Sequence, residues 1–106
     1  MTGSEAGAAF DTVIHPPARL QIMAMLVEVQ DIEFAALRQA VDVSDSVLSK
    51  HLSALGEAGY VRLRKAALGG RARTWVAATR EGRRAFAAHV AALTRLAGLA
   101  DRVAAE

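Results

Sequence analysis

The three histidines of this 106-residue chain, His15, His51 and His89, stand 36 and 38 residues apart, and there is no cysteine. No HExxH-type pair or Cys/His cluster surrounds them, and no Walker loop, G-x-S-x-G elbow or pair of carboxylates on one helix face is present. Catalysis is not expected, and no cofactor or metal site is assigned. The residues whose types and spacing could do chemistry are instead small hydrogen-bonding groups within one short stretch: Ser44, Asp45, Ser46, Ser49, Lys50, His51 and Ser53. An ordinary surface helix carries long Glu and Lys side chains there, whereas these keep the surface low enough for close approach to a partner. The chemistry on offer is recognition.

The element that must position them runs from Asp42 to Tyr60. Ser44 suits an N-cap, Gly59 a C-terminal stop, and Leu48, Leu52 and Leu55 form an apolar seam. Net charge along the chain is uneven. Residues Met1 to Val43 carry −4, Ser44 to Arg84 carry +6 and the remainder is neutral, for a total of +2. Basic charge spread over some forty residues suits a polyanion better than a small metabolite, and the partner expected is double-stranded DNA.

The length fits a single domain spanning residues 1–106, with limited burial unless a second subunit adds to it. No run of about 18 apolar residues and no basic leader segment occurs, so a cytoplasmic protein with no membrane partner is expected. Residues 1–8 are small and polar and are expected to be disordered. Ala9 to His15 predicts a short helix with Phe10, Val13 and Ile14 on one stripe, stopped by Pro16-Pro17. Pro17 then opens a core helix running to about Val29. Ile32 to Phe34 reads as a short strand or as the lead-in to a helix from Ala35 to Val41, and only Asp42 and Val43 separate that helix from Ser44. Two short helices joined so tightly, over 35–58, predict a helix-turn-helix.

Past Gly59 the period changes. Tyr60 to Lys65 alternates as a half-exposed strand, Ala66 to Arg73 holds Gly69-Gly70 among basic residues, and Thr74 to Ala78 returns as a second strand. A hairpin over 60–78, following a helix-turn-helix, is a wing, and Arg64, Lys65, Arg71 and Arg73 are its candidate backbone or minor-groove contacts, Arg71 and Arg73 at the tip. Trp75 reads as core or hairpin packing. Thr79 caps a last helix over 80–104, with Gly82 and Gly98 as weak points. At about 25 residues the helix is about 37 Å long, longer than so small a domain can cover, and it carries a stripe of Phe86, Val90, Leu93, Leu96, Ala97, Ala100 and Val103. These residues, with Phe10, Val13 and Ile14, are the expected homodimer contacts. The fold class is mainly α with a small β-hairpin, a winged helix-turn-helix with N- and C-terminal dimerisation helices.

Three segments carry a resemblance to the winged helix-turn-helix transcriptional regulators of the ArsR and MarR superfamily. His15 to Met23 is similar to the family opening Pro-x-Arg-Leu-x-Ile-Leu, Leu48 to Val61 to Leu-Ser-Arg/Lys-His-Leu-x-x-Leu-Glu-x-Ala-Gly-Tyr-Val, and Ala78 to Arg83 to Leu-Thr-x-x-Gly-Arg. The MarR-like winged-helix subgroup is the nearest in pattern. Gly56 stands where Glu is usual and Ala78 where Leu is usual. The metal-sensing cysteines of part of the ArsR family are absent. The resemblance implies a homodimeric DNA-binding regulator, a repressor by expectation, with His51 among the DNA contacts. Two alternatives share the pattern: a winged-helix protein-interaction module, and a regulator switched by a small apolar ligand between the last helix and the domain, for which the sequence shows no dedicated effector chemistry.

Overall fold

A computed structural model describes residues 10–105; the disorder expected for 1–8 and the helix start at Ala9 lie outside these. In chain order the elements are α1 (Pro17–Leu26), β1 (Ile32–Glu33), α2 (Phe34–Val41), α3 (Asp45–Glu57), β2 (Val61–Leu68), β3 (Arg71–Ala78) and α4 (Arg80–Ala105). The strands form one antiparallel sheet in the order β1-β3-β2. The helices α1, α2 and α3 bury Ile22, Met23, Leu26, Leu37, Leu48 and Leu55 against one another and against Val61 and Val76 of the sheet.

Over residues 10–15, the described part of the helix expected before Pro16, the chain makes a single turn. Asp11 Oδ1 accepts from Val13 N at 2.8 Å and Ile14 N at 3.1 Å, and His15 N donates to Asp11 O, so the side chain of Asp11 supplies the partners a longer helix would. That turn drives Ile14 into the core, fully buried, with Val13 packed beside it. Both were expected at a dimer interface; the chain's own core takes them. Pro17 opens α1 as expected, but the helix ends at Leu26. Its last carbonyl region is closed by Arg83, which donates to Val27 O at 2.8 Å and Val29 O at 2.9 Å. β1 is a genuine strand, and α2 begins at Phe34, one residue earlier than expected.

Two end signals work as read. Ser44 accepts from Val47 N, and α3 closes with Gly59 at φ +82°, its N–H on Gly56 O and that of Tyr60 on Leu55 O. Both bonds together make a Schellman stop, which needs a left-handed residue at this position. The wing is longer and tighter than its sequence suggested. Its strands continue to Leu68 and from Arg71, leaving only Gly69 and Gly70 as the loop, at φ +59° and +79°. Two positive φ angles in a two-residue loop match strand twist, so the basic residues around the glycines stay in the ladder.

Thr79 caps α4 by accepting from Gly82 N at 2.9 Å while donating to Gly59 O at 2.6 Å. Gly82 is no weak point: a Cβ there would lie 2.1 Å from Tyr60 O, so the missing side chain lets α4 start directly against the chain leaving α3. From that start the helix runs 26 residues, and the molecule is drawn out to 62 × 29 × 22 Å.

Candidate nucleic-acid interface

The α3 seam of Leu48, Leu52 and Leu55 is buried, which turns Ser46, Lys50 and Ser53 outward on the opposite face, all exposed. Ser44 is occupied as cap, and its Oγ lies 3.3 Å from that of Ser46. Asp45 is 79% exposed but not free: Arg38 Nε of α2 pairs with it at 3.0 Å, and the same guanidinium reaches Val43 O. Asp45 therefore fastens the turn between α2 and α3 as well as facing the positive end of its helix. Arg38 carried no sequence signal for this role beyond its place one turn before the helix end.

The two flanks of α3 differ. Ser49 and Ser53 border a groove of about 410 Å³ between α3 and the wing, with Leu52, Gly56, Val61 and Leu63. Gly56 borders open space, since a Cβ there would meet nothing within 4 Å. On the other flank His51 is half-buried, and its Nδ1 accepts from Arg19 Nε of α1 at 3.1 Å. Arg19 is held in turn by Val13 O, which its Nη1 meets at 3.2 Å. Burial, then the Arg19 and Lys50 charges, hold the imidazole below its usual 6.5, so it is neutral at physiological pH.

Strand register sorts the wing residues into two faces. Lys65 alternates with Val61 and Leu63 on the side that covers α3, whereas Arg62, Arg64, Arg71, Arg73 and Trp75 lie on the other. Arg64 is 3.5 Å from Asp31, and Arg73 is ion-paired with Glu33 of β1. Arg73 was expected at the tip; it sits opposite Ala66, inside the ladder, because the loop is only two glycines long. Arg71 does flank the tip and is exposed. Trp75 lies half-buried on the outer face with Arg62, Arg64 and Asp31 rather than in the core. Among the described residues no ion pair engages Lys50, Arg62, Lys65 or Arg71. No group of three or more metal-binding side chains is found among them either.

A capped helix with a low polar face, set beside a basic two-stranded wing, is matched over residues 18–97 by the family model of the winged helix DNA-binding domain. The chain belongs to that family. It is 30% identical over 84 residues to an uncharacterized protein of Methanocaldococcus jannaschii, covering 79% of this chain and 91% of that one. Among solved structures, a transcriptional regulator homologue protein from Pyrococcus horikoshii OT3 aligns with a TM-score of 0.79 at 25% identity, over 84% of this chain and 88% of that chain. A putative transcriptional regulator of the MarR family from Enterococcus faecalis V583 shares the fold, with a TM-score of 0.74 at 21% identity over 90% and 86%. No described helix of this winged-helix chain is long and apolar enough to cross a membrane.

On α4 the stripe divides. Phe86 and Leu93 are half-buried, Phe86 against the core, while Val90, Leu96, Ala97, Ala100 and Val103 are exposed, and so is Leu99, which the stripe as read had left out. His89, which the sequence left unassigned, is fully buried. Its Nδ1 accepts from Asp11 N at 2.9 Å, and its Nε2 lies 3.1 Å from His15 Nδ1. The Phe10 ring centroid is 4.7 Å from both imidazoles, so Phe10 packs on this pair within its own subunit. Tyr60 completes the cluster by donating to Asp11 Oδ2, and that bond raises its phenol to about 12.

Proposed function

We propose that this winged-helix chain is a sequence-specific DNA-binding transcriptional regulator, working in the cytoplasm as a homodimer and repressing by occluding a promoter. The observation that carries the reading is the shared direction of α3 and one wing face. Ser46, Lys50 and Ser53 point outward from a helix buried on its opposite side, and Lys65 extends from the sheet face that covers it. A major groove would take the N-terminal half of α3, including Ser44, Ser46, Ser49, Lys50, His51 and Ser53, and adjacent backbone would meet Lys65 and, from the wing tip on the other strand face, Arg71. Arg64, Arg73 and Asp45 serve as second-rank contacts, since each already has a protein partner.

Dimerisation is the part of the proposal that rests on α4. Leu96, Leu99 and Val103 are 53%, 49% and 66% exposed, and they continue the helix face that Gly82, His89 and Ala92 bury. A second copy covering that face would present two recognition helices at a two-fold spacing. Selection of bound duplexes from a random pool tests the whole reading. It should enrich a near-palindrome with half-sites about 10 base pairs apart. No enrichment, together with no DNA affinity at low salt, would refute it.

A further inference from the structure

Building on that reading, we infer that Arg19 is a positioning residue for recognition: it fixes the tautomer and orientation of His51 so that the ring presents a single N–H donor, at Nε2, to a DNA phosphate. The inference follows from hydrogen-bond accounting. Arg19 Nε can only donate, so the His51 Nδ1 it meets at 3.1 Å must be the unprotonated nitrogen. In a neutral imidazole the proton then sits on Nε2. Among the described residues Nε2 has no hydrogen-bond partner, and no side-chain nitrogen there is both buried and unpartnered, so Nε2 opens to solvent.

The direction of the ring selects the target. His51 lies on the flank of α3 next to α1, away from the outward ridge of Ser46, Lys50 and Ser53 and away from the wing. A helix seated in a major groove has base edges beneath its ridge and sugar-phosphate backbone along its flanks. Arg19 is itself braced by Val13 O at 3.2 Å, one residue before the buried Ile14, so the donor is backed by the core rather than by a mobile side chain. The charged groups facing the imidazole are Arg19 from α1 and Lys50 on its own helix, and both keep it neutral.

The test uses the full chain and a duplex recovered by selection. Gln places an N–H donor where Arg has Nε, without charge, and Met places a methyl there. Arg19→Gln should bind within about twofold of the parent, Arg19→Met should lose about tenfold or more, as expected for a bond to a charged acceptor, and His51→Ala should lose as much at an unchanged salt slope. The Arg19→Met, His51→Ala pair should be no weaker than His51→Ala alone. Lowering the pH from 8 to 6 should strengthen binding by Arg19→Met, whose imidazole is freed of the Arg19 charge and takes a proton more readily, by more than it changes binding by the parent. Nitrogen-15 spectra of the His51 ring should show the Nε2–H form in the parent and in Arg19→Gln. An Nδ1–H form, equal losses in Arg19→Gln and Arg19→Met, or additive losses in the pair would overturn the inference while leaving the DNA reading intact. Absence of any binding by the parent at low salt would overturn both.

Discussion

The helices α3 and α4 start from the same kind of signal and end in opposite conditions. Each opens on a hydroxyl cap, Ser44 or Thr79, and each carries an apolar seam at helical spacing. In α3, a helix of 13 residues, the seam of Leu48, Leu52 and Leu55 is covered throughout by α1, α2 and β2, and the helix is closed by a Schellman stop at Gly59. In α4 the seam is covered as far as Ala92 and in part at Leu93, and then continues exposed through Leu96, Leu99 and Val103. Periodicity alone reports that a face is apolar; it does not say which body of the chain, if any, lies against it. The contrast also assigns the two parts different tasks. A helix that satisfies its own seam can offer its other face to a ligand, whereas one with an unsatisfied seam offers the seam itself.

The largest break in that comparison should come where the two helices touch. Gly82→Ala would drive a Cβ to 2.1 Å from Tyr60 O, backbone against backbone, so α4 must leave the end of α3 and the Thr79 bridge to Gly59 must open. A loss above about 4 kcal/mol is expected, the range reserved for core and backbone conflicts. Gly98→Ala, with nothing within 4 Å, should instead gain about 0.5 to 1 kcal/mol from helix propensity. Chemical denaturation of the two variants side by side decides this; equal effects would mean that Gly82 is not a close-approach position.

A smaller effect on folding, but a decisive one for assembly, is expected at Leu99. It is 49% exposed and lies beyond the covered half of α4. Leu99→Asp should leave the far-ultraviolet spectrum and the subunit's denaturation midpoint nearly unchanged while converting the proposed dimer to monomer in sedimentation. Leu52→Ala, on the covered seam of α3, should do the reverse: about 2 to 5 kcal/mol of subunit stability lost with no direct effect on assembly. A dimer that survives Leu99→Asp would place the self-contact elsewhere.

What could be read from the chain before folding was what depends on near neighbours. Ser44 as cap, Gly59 as stop, Thr79 as cap and the Leu48, Leu52, Leu55 seam each involve residues within about one turn of each other. The departures that move a candidate site residue involve long separations. Ile14 reads as part of an exposed stripe until α1 and the sheet are packed around it. Arg73 reads as a free wing cation until β1 brings Glu33 beside it, and Arg83 as part of a basic segment until it reaches Val27 and Val29. Formal charge along the chain therefore overstates the basic surface, because several guanidiniums turn inward or pair. Gly82 reads as a weak point and His89 has no assignment, since their meaning lies in the backbone of Tyr60 and of Asp11.

The gentlest test addresses the polar cluster that holds the covered half of α4. Asp11 N–H points at His89 Nδ1, so the His89 proton must sit on Nε2 and be donated to His15 Nδ1. Protonating His89 would put a second donor against Asp11 N–H. Burial, then the neighbouring His15, push His89 below its usual 6.5, with Asp11 opposing them and Tyr60 tied to the same carboxylate. The unfolded chain therefore binds a proton that the folded chain resists. Stability should be full above about pH 6.5 and should fall as pH drops below it, by no more than about 1.4 kcal/mol per pH unit for one proton. Asn offers a carbonyl oxygen near the position of Nδ1 and cannot titrate, so His89→Asn should cost some stability at pH 8 yet lose this acid slope. Thermal unfolding of both proteins between pH 8 and 5.5 measures the difference. An unchanged slope in His89→Asn would mean that acid sensitivity arises elsewhere, and that the cluster ties α4 to the domain without sensing protons.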